Sequence, residues 1–190
     1  MLISPAYQAL NQQHHEEEED WGQGAWLYID IVRDLVRYLN SRDVLDYGCG
    51  KGSLQKQLGF AIQEYDPAIP AKSAKPKPAD IVVCTSVLEH VEPDCVNDVL
   101  ADIRRLIKRV GFFVIPHTPS VNNLPNGQNE HLSVHPQEWW QDKLKESSLH
   151  IHSLVTIGAI TVGKDNNATD PTKPNRMMIG TRSYMFVVPC

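Results

Sequence analysis

The sequence predicts an α/β sandwich, with a mostly parallel sheet between helical layers and an antiparallel strand pair at its C-terminal end. Two observations carry this. Continuous apolar runs of strand length, ADIVVCTS at 79–86 and VGFFVIP at 110–116, alternate with segments of helical period. Runs without polar alternation belong to strands covered on both faces. The last two apolar runs, 151–162 and 183–188, have no helix-length pattern between them, so they return directly on one another.

Taken in order, residues 1–20 are polar, with His14, His15 and an acidic run from Glu16 to Asp20, and read as a flexible arm. Ala25, Trp26, Ile29, Val32, Leu35, Val36 and Leu39 recur at three- and four-residue steps, which predicts an amphipathic helix from Gly24 to about Asn40. Asp43 to Tyr47 is a short strand running into glycines, Lys51 to Leu58 a short helix, and Phe60 to Asp66 a second strand. Four prolines and three lysines between Pro67 and Pro78 predict a loop. Past Pro93, the residues Val96, Val99, Leu100, Ile103, Leu106 and Ile107 mark another helix. Residues 118–130 read as loop, Pro136 to Lys145 as a helix opening on proline, and 163–182 as a long polar loop.

Composition narrows the function classes. With 190 residues, 42% hydrophobic and 22% charged, the chain is one globular domain, taken as residues 24–190 with residues 1–23 as an arm or lid. No apolar run approaches the roughly 18 residues of a transmembrane helix, and the start lacks the basic and apolar regions of a secretory leader. The net charge of -5 equals the contribution of the five acids Glu16 to Asp20. The remainder is balanced and exerts no general pull on nucleic acid or an anionic membrane. Cys49, Cys84, Cys95 and Cys190 form no CxxC pair and read as free thiols of a reducing, cytoplasmic compartment.

The segment richest in chemistry is Val44-Leu-Asp46-Tyr-Gly48-Cys-Gly50-Lys-Gly52. Glycines between a buried strand and a helix let a ligand approach the backbone where a side chain would collide. A dinucleotide fingerprint would need a third glycine where Ser53 stands, which disfavours an NAD-linked oxidoreductase. An acid two residues before the first glycine suits a cationic ligand head better than a pyrophosphate.

Asp46, Gly48, Gly50 and Gly52 resemble the first motif, D-x-G-x-G-x-G, of the class I S-adenosylmethionine-dependent methyltransferases. Asp66, ending the second strand, is similar to the acid with which that family binds the ribose hydroxyls; two acceptor oxygens facing a vicinal diol explain a carboxylate there. Residues 79–93, with Leu88-Glu89-His90, are similar to the fourth-strand motif of the small-molecule branch. Residues 107–115 and 131–140 resemble later segments in the same order. The resemblance implies a Rossmann-like three-layer fold with S-adenosyl-L-methionine as cofactor. It assigns cofactor contacts to Asp46, Gly48, Cys49, Gly50, Gly52, Asp66, Pro67, Thr85, Ser86 and Val87, with Trp21 completing the pocket from the arm. Only about thirteen residues separate Asp66 from the next buried strand, so the family's third strand is expected to be reduced or absent, and no adenine-contacting acid can be named.

Glu89 and His90 follow the C-terminal end of one buried strand and His117 ends the next, where open α/β sheets bind ligands. His117, His131 and Glu89 are therefore candidate bases, with His90, His135 and Trp139 as candidate substrate contacts; the resemblance places a histidine at position 131 toward the substrate. Glu130, His131 and His135 have metal-ligand composition, but Ser133 and Pro136 oppose a helix that would align them, and no metal is expected. The reading that results is methyl transfer to an O, N or S atom of a small molecule. Methylation of a nucleic-acid or saccharide component, and a non-catalytic cofactor-binding subunit, stay open as alternatives.

Overall fold

The computed structural model describes residues 1–18, 21–22, 24–157, 160–163, 176–179 and 182–189. The sheet has six strands in the order β2-β1-β3-β4-β8-β5: β1 (Val44–Tyr47), β2 (Gln63–Tyr65), β3 (Ala79–Thr85), β4 (Ile107–Pro116), β5 (Leu149–Ile157) and β8 (Arg182–Pro189). The β1, β2, β3 and β4 neighbours are parallel, whereas β8 runs antiparallel to both β4 and β5. Strand β2 is the edge beyond β1, and the chain between it and β3 holds only a 3-10 turn at Pro70–Lys72. The third strand of the expected fold is thus absent, as its short spacing predicts.

Alternation along each strand divides the core in two. Leu45, Tyr47, Val82, Cys84, Phe113 and Ile115 face one layer, where α4 (Val96–Leu106) and α5 (Gln137–Glu146) pack with Leu100, Ile103, Trp140 and Leu144. Val44, Ile81, Val83, Phe112 and Val114 face the other, covered by α2 (Ile29–Leu39) and α3 (Ser53–Leu58) through Val32 and Leu54. All four residues of β1 are buried, the signature of a central parallel strand.

Three expectations change. The helix expected from Gly24 is a 3-10 turn over Gly24–Tyr28 and becomes α-helical only at Ile29. The run 151–162 is not one strand: β5 ends at Ile157, and Ile160–Gly163 (β6) pairs antiparallel with Arg176–Ile179 (β7), inside the stretch expected to be loop. Residues 164–175 of that stretch lie outside the described residues.

The third change concerns the N-terminal arm, where Pro5–Glu17 forms a helix, α1, burying Tyr7, Asn11 and His14. These recur at i, i+4 and i+7 on one face, and the Ser4 side chain caps the helix by accepting from the Tyr7 N–H at 3.1 Å. Replacing Ser4 by alanine is expected to lower stability by about 1 kcal/mol in urea unfolding, since the orphaned N–H loses its acceptor.

Candidate active site

Strand β1 lies between β2 and β3, so the chain crosses to opposite sides of it in turn. Open α/β sheets hold ligands at such a switch point, outside the C-terminal strand ends. A cavity of about 200 Å³ lies there, reached by Gly48, Cys49, Gly50, Asp66, Pro67, Thr85, Ser86 and Val87 among others. Gly52 is not among its lining residues.

The turn after β1 is held from below. The N–H groups of Gly48 and Cys49 donate to the Tyr65 carbonyl at 2.7 and 3.0 Å. Asp66 accepts from the Gly50 N–H through Oδ2 and from the Ala68 N–H through Oδ1, both at 3.0 Å. Lys72 Nζ donates to the Gly50 carbonyl at 2.9 Å and pairs with Glu64 at 3.2 Å, so one of the three loop lysines has a defined role. The glycines are required by the protein's own packing: a Cβ on Gly48 would meet Val87 at 2.4 Å, and one on Gly50 the Gly22 carbonyl at 2.5 Å. Both have positive φ, 76° and 48°, which glycine adopts freely.

Asp46 sits beside this turn, 2% exposed, with Oδ2 lacking any hydrogen-bond partner. Burial first, then the Glu64 and Asp66 charges, raise its carboxyl from 3.8 to about 7, against the opposing pull of Lys72. A raised acid stabilises the folded state below its unfolded value, and that contribution is lost as pH rises through the folded value. The ligand-free protein should therefore lose stability between about pH 4 and pH 7, by on the order of a few kcal/mol from this group. Asp46→Asn should flatten that part of a thermal-stability profile and raise the midpoint at neutral pH; an unchanged slope would count against a buried, uncompensated Asp46.

Helix α1 and the 21–22 segment cover the cavity. Tyr7, Asn11, His15, Trp21 and Gly22 line it, with His15 Nε2 3.9 Å from Asp66 Oδ2 and its ring 4.3 Å from that of Trp21. Burial and then the Lys51 charge push His15 down to about 4, so it is neutral. Trp21 Nε1 donates to Glu130 Oε2 at 2.8 Å, linking the cover to the loop after β4. Helix α1, which sequence reasoning missed, covers the cavity; a buried stripe of tyrosine, asparagine and histidine lacks the apolar signal that marks a helix face.

Next to the cavity but outside its lining, Glu89 is wholly buried, and neither carboxylate oxygen has a partner. Burial pushes its carboxyl up to about 8, with Arg182 opposing. His90, which lines the cavity, and His131 lie beside it, their rings 4.9 Å apart edge to face. Glu89 and His90 follow β3 and His131 follows β4, and the structure brings the three together.

No family model and no curated protein matches the sequence. Solved structures do. The Burkholderia thailandensis 1,6-didemethyltoxoflavin-N1-methyltransferase, holding 1,6-didemethyltoxoflavin and S-adenosylhomocysteine, superposes with a TM-score of 0.59 at 15% identity, over 100% of this chain and 92% of its own. The magnesium protoporphyrin IX methyltransferase of Synechocystis, with bound S-adenosylhomocysteine, gives 0.55 at 12% identity over 99% and 88%. An S-adenosylmethionine-dependent methyltransferase of Clostridium acetobutylicum gives 0.55 at 13% over 85% and 90%. The chain has the class I methyltransferase fold.

Within this methyltransferase fold only His90 of the catalytic and substrate candidates lines the cavity; Glu89 and His131 are its neighbours outside the lining, and the others lie elsewhere. His117 Nδ1 donates to the His135 carbonyl at 3.1 Å, and Nε2 lies 2.7 Å from the Ser183 hydroxyl. Both ring nitrogens are engaged and His117 does not line the cavity, so the expectation that it stands at the crevice as a candidate base is corrected. His135 stacks on Trp139 with ring centroids 3.7 Å apart and an interplanar angle of 15°. Neither lines the cavity, which corrects their expected place against the substrate; they brace the start of α5.

Proposed function

We propose that the protein is an S-adenosylmethionine-dependent methyltransferase acting on an O, N or S atom of a small-molecule acceptor. One observation carries the reading: the unpartnered, buried Asp46 carboxylate stands beside the Gly48–Gly50 turn, and Asp66 lines the cavity that opens at the same switch point. A ligand with a cationic head and a vicinal diol matches those two carboxylates: the unpartnered Asp46 Oδ2 just outside the lining gains most from a nearby positive charge, and the Asp66 oxygens, each already accepting one N–H, keep a further lone pair for a hydroxyl. Tyr47, Pro67, Ala68, Val87 and Val99 give the cavity an apolar part suited to a flat base. Bound there, the cofactor would supply an activated methyl group.

The chain's own residues then align the acceptor and exclude water, which can supply several kcal/mol of a displacement barrier. In this reading residues 1–23 are the lid of a single domain, 24–190, with Tyr7, His15 and Trp21 covering the cavity and the acceptor entering against His90. The solved methyltransferases from Burkholderia and Synechocystis carry small-molecule acceptors in their names, in keeping with this choice. The balanced charge outside the acidic run gives no support to a nucleic-acid substrate. No helix among the described residues is long and apolar enough to cross a membrane, and the buried thiols of Cys49, Cys84 and Cys95 are free, in keeping with a cytoplasmic setting.

The test is release of S-adenosylhomocysteine from S-adenosylmethionine across a panel of hydroxyl, amine and thiol acceptors. Turnover with at least one acceptor is expected. Tight cofactor binding with no release across the panel would instead favour the non-catalytic subunit.

A further inference from the structure

We infer that Glu89, His90 and His131 form a site for one divalent transition-metal ion at the wall of the cavity that His90 lines. Three independent features meet here. The donor atoms of the three side chains lie within 4.8 Å of one another, the one group among the described residues with metal-ligand geometry. Glu89 is 0% exposed with both oxygens unpartnered, and a buried carboxylate left without a donor costs several kcal/mol unless it takes up a proton or a cation joins it, so an ion here would replace that proton. The histidines are also oriented for ligation. His90 Nδ1 lies 2.9 Å from the Glu130 carbonyl and His131 Nδ1 2.7 Å from the Thr118 carbonyl.

A carbonyl only accepts, so each Nδ1 carries the proton and each Nε2 keeps its lone pair. Backbone carbonyls fix the tautomer and ring direction of metal-bound histidines in this way. His90 Nε2 is 3.9 Å from Glu89 Oε1, too far for a hydrogen bond, and a shift of about half an ångström would bring both within about 2.0–2.2 Å of a shared ion.

Two imidazoles and one carboxylate select zinc, manganese, cobalt or iron over magnesium and calcium, which prefer all-oxygen sites. Three protein ligands leave coordination positions open, the arrangement of reactive rather than structural sites. From sequence a different trio, Glu130, His131 and His135, has metal-ligand composition but is set aside, with no metal expected; the inference here departs from that expectation. In the fold His135 is stacked on Trp139 and Glu130 is bonded to Trp21 and Ser120, so only His131 belongs to the site.

Resting on the methyltransferase reading, the site also narrows the acceptor to a hydroxyl or thiol, whose proton a bound ion would loosen. That proton would leave to solvent, the new C–O or C–S bond would form as the methyl–sulfur bond of the cofactor breaks, and the neutral thioether would depart. This provides for deprotonation without His117, whose nitrogens are engaged.

The test uses the full chain, stripped with EDTA and titrated separately with Mn²⁺, Co²⁺, Zn²⁺ and Mg²⁺. One Co²⁺ or Zn²⁺ per chain at micromolar affinity is expected, with Mg²⁺ at least tenfold weaker and a visible Co²⁺ band shifted from that of the aqueous ion. Glu89→Gln and His131→Ala should each weaken Co²⁺ binding at least tenfold, while His117→Ala binds as the parent does. Circular dichroism identifies any variant that fails to fold, and His131→Asn then replaces it. A folded parent that binds none of the four ions, or binds Co²⁺ equally in the variants, overturns the site. Calorimetry of S-adenosylmethionine on the stripped protein separates the two claims: metal uptake without cofactor binding leaves the site standing and removes the methyltransferase reading. Turnover of a hydroxyl or thiol acceptor that survives EDTA overturns the acceptor assignment.

Discussion

Asp66→Ala is expected to weaken S-adenosylmethionine binding by about two to four orders of magnitude. Two hydrogen bonds to a charged acceptor at about 1.5–3 kcal/mol each sum to about 3–6 kcal/mol, and about 1.4 kcal/mol is tenfold in affinity. The substitution also removes the acceptors of the Gly50 and Ala68 N–H groups, so the turn loosens as the ligand contact is lost. Asp66→Asn separates the two effects. Its single carbonyl oxygen can still hold one N–H, so thermal stability should recover in part while affinity stays low. Calorimetry for the cofactor and thermal unfolding for the turn read the two consequences independently. Affinity unchanged in both variants would exclude Asp66 from the cofactor site.

Gly50→Ala should cost about 2–4 kcal/mol of stability, of which only part is backbone strain. An L-residue in the left-handed region costs roughly 1–2 kcal/mol. The added Cβ would also lie 2.5 Å from the Gly22 carbonyl and 2.9 Å from its Cα, so the segment over the turn must move. Gly59 supplies the control: its φ is 73°, but a Cβ there meets nothing within 4 Å. Gly59→Ala thus reports strain alone, and the difference between the two variants in urea unfolding measures the Gly22 contact. Displacement of the 21–22 segment should also break the Trp21–Glu130 bond and shift tryptophan fluorescence, which Gly59→Ala should leave unchanged. Equal costs for the two variants would mean that the lid rests on the turn without constraining it.

Much of the sheet was legible because its strands are buried on both faces. β1, β3 and β4 are apolar runs that no helix period explains, and α2 and α4 carry clear stripes of Val, Leu and Ile. What stayed hidden depended on polar or distant contacts. Helix α1 buries Tyr7, Asn11 and His14, whose side chains read as solvated from sequence. The glycines of the turn were readable as a ligand approach, yet Val87 and Gly22 fill the space beside Gly48 and Gly50, and nothing local in the chain announces either partner. His117 was placed at the right strand end, but its engagement by Ser183 and the His135 carbonyl comes from β8 and the loop before α5. Glu89, His90 and His131 were each singled out separately. Their convergence is a property of the fold, in which the loops after β3 and β4 meet.

The account stands most directly on what the switch-point cavity binds. Calorimetric titration of S-adenosylmethionine, S-adenosylhomocysteine and NAD into the purified protein answers this in one experiment. Micromolar binding of both adenosyl compounds, with none of NAD, is the predicted result. Binding of NAD alone, or of none of the three, would contradict it and leave the methyltransferase fold without methyltransferase chemistry.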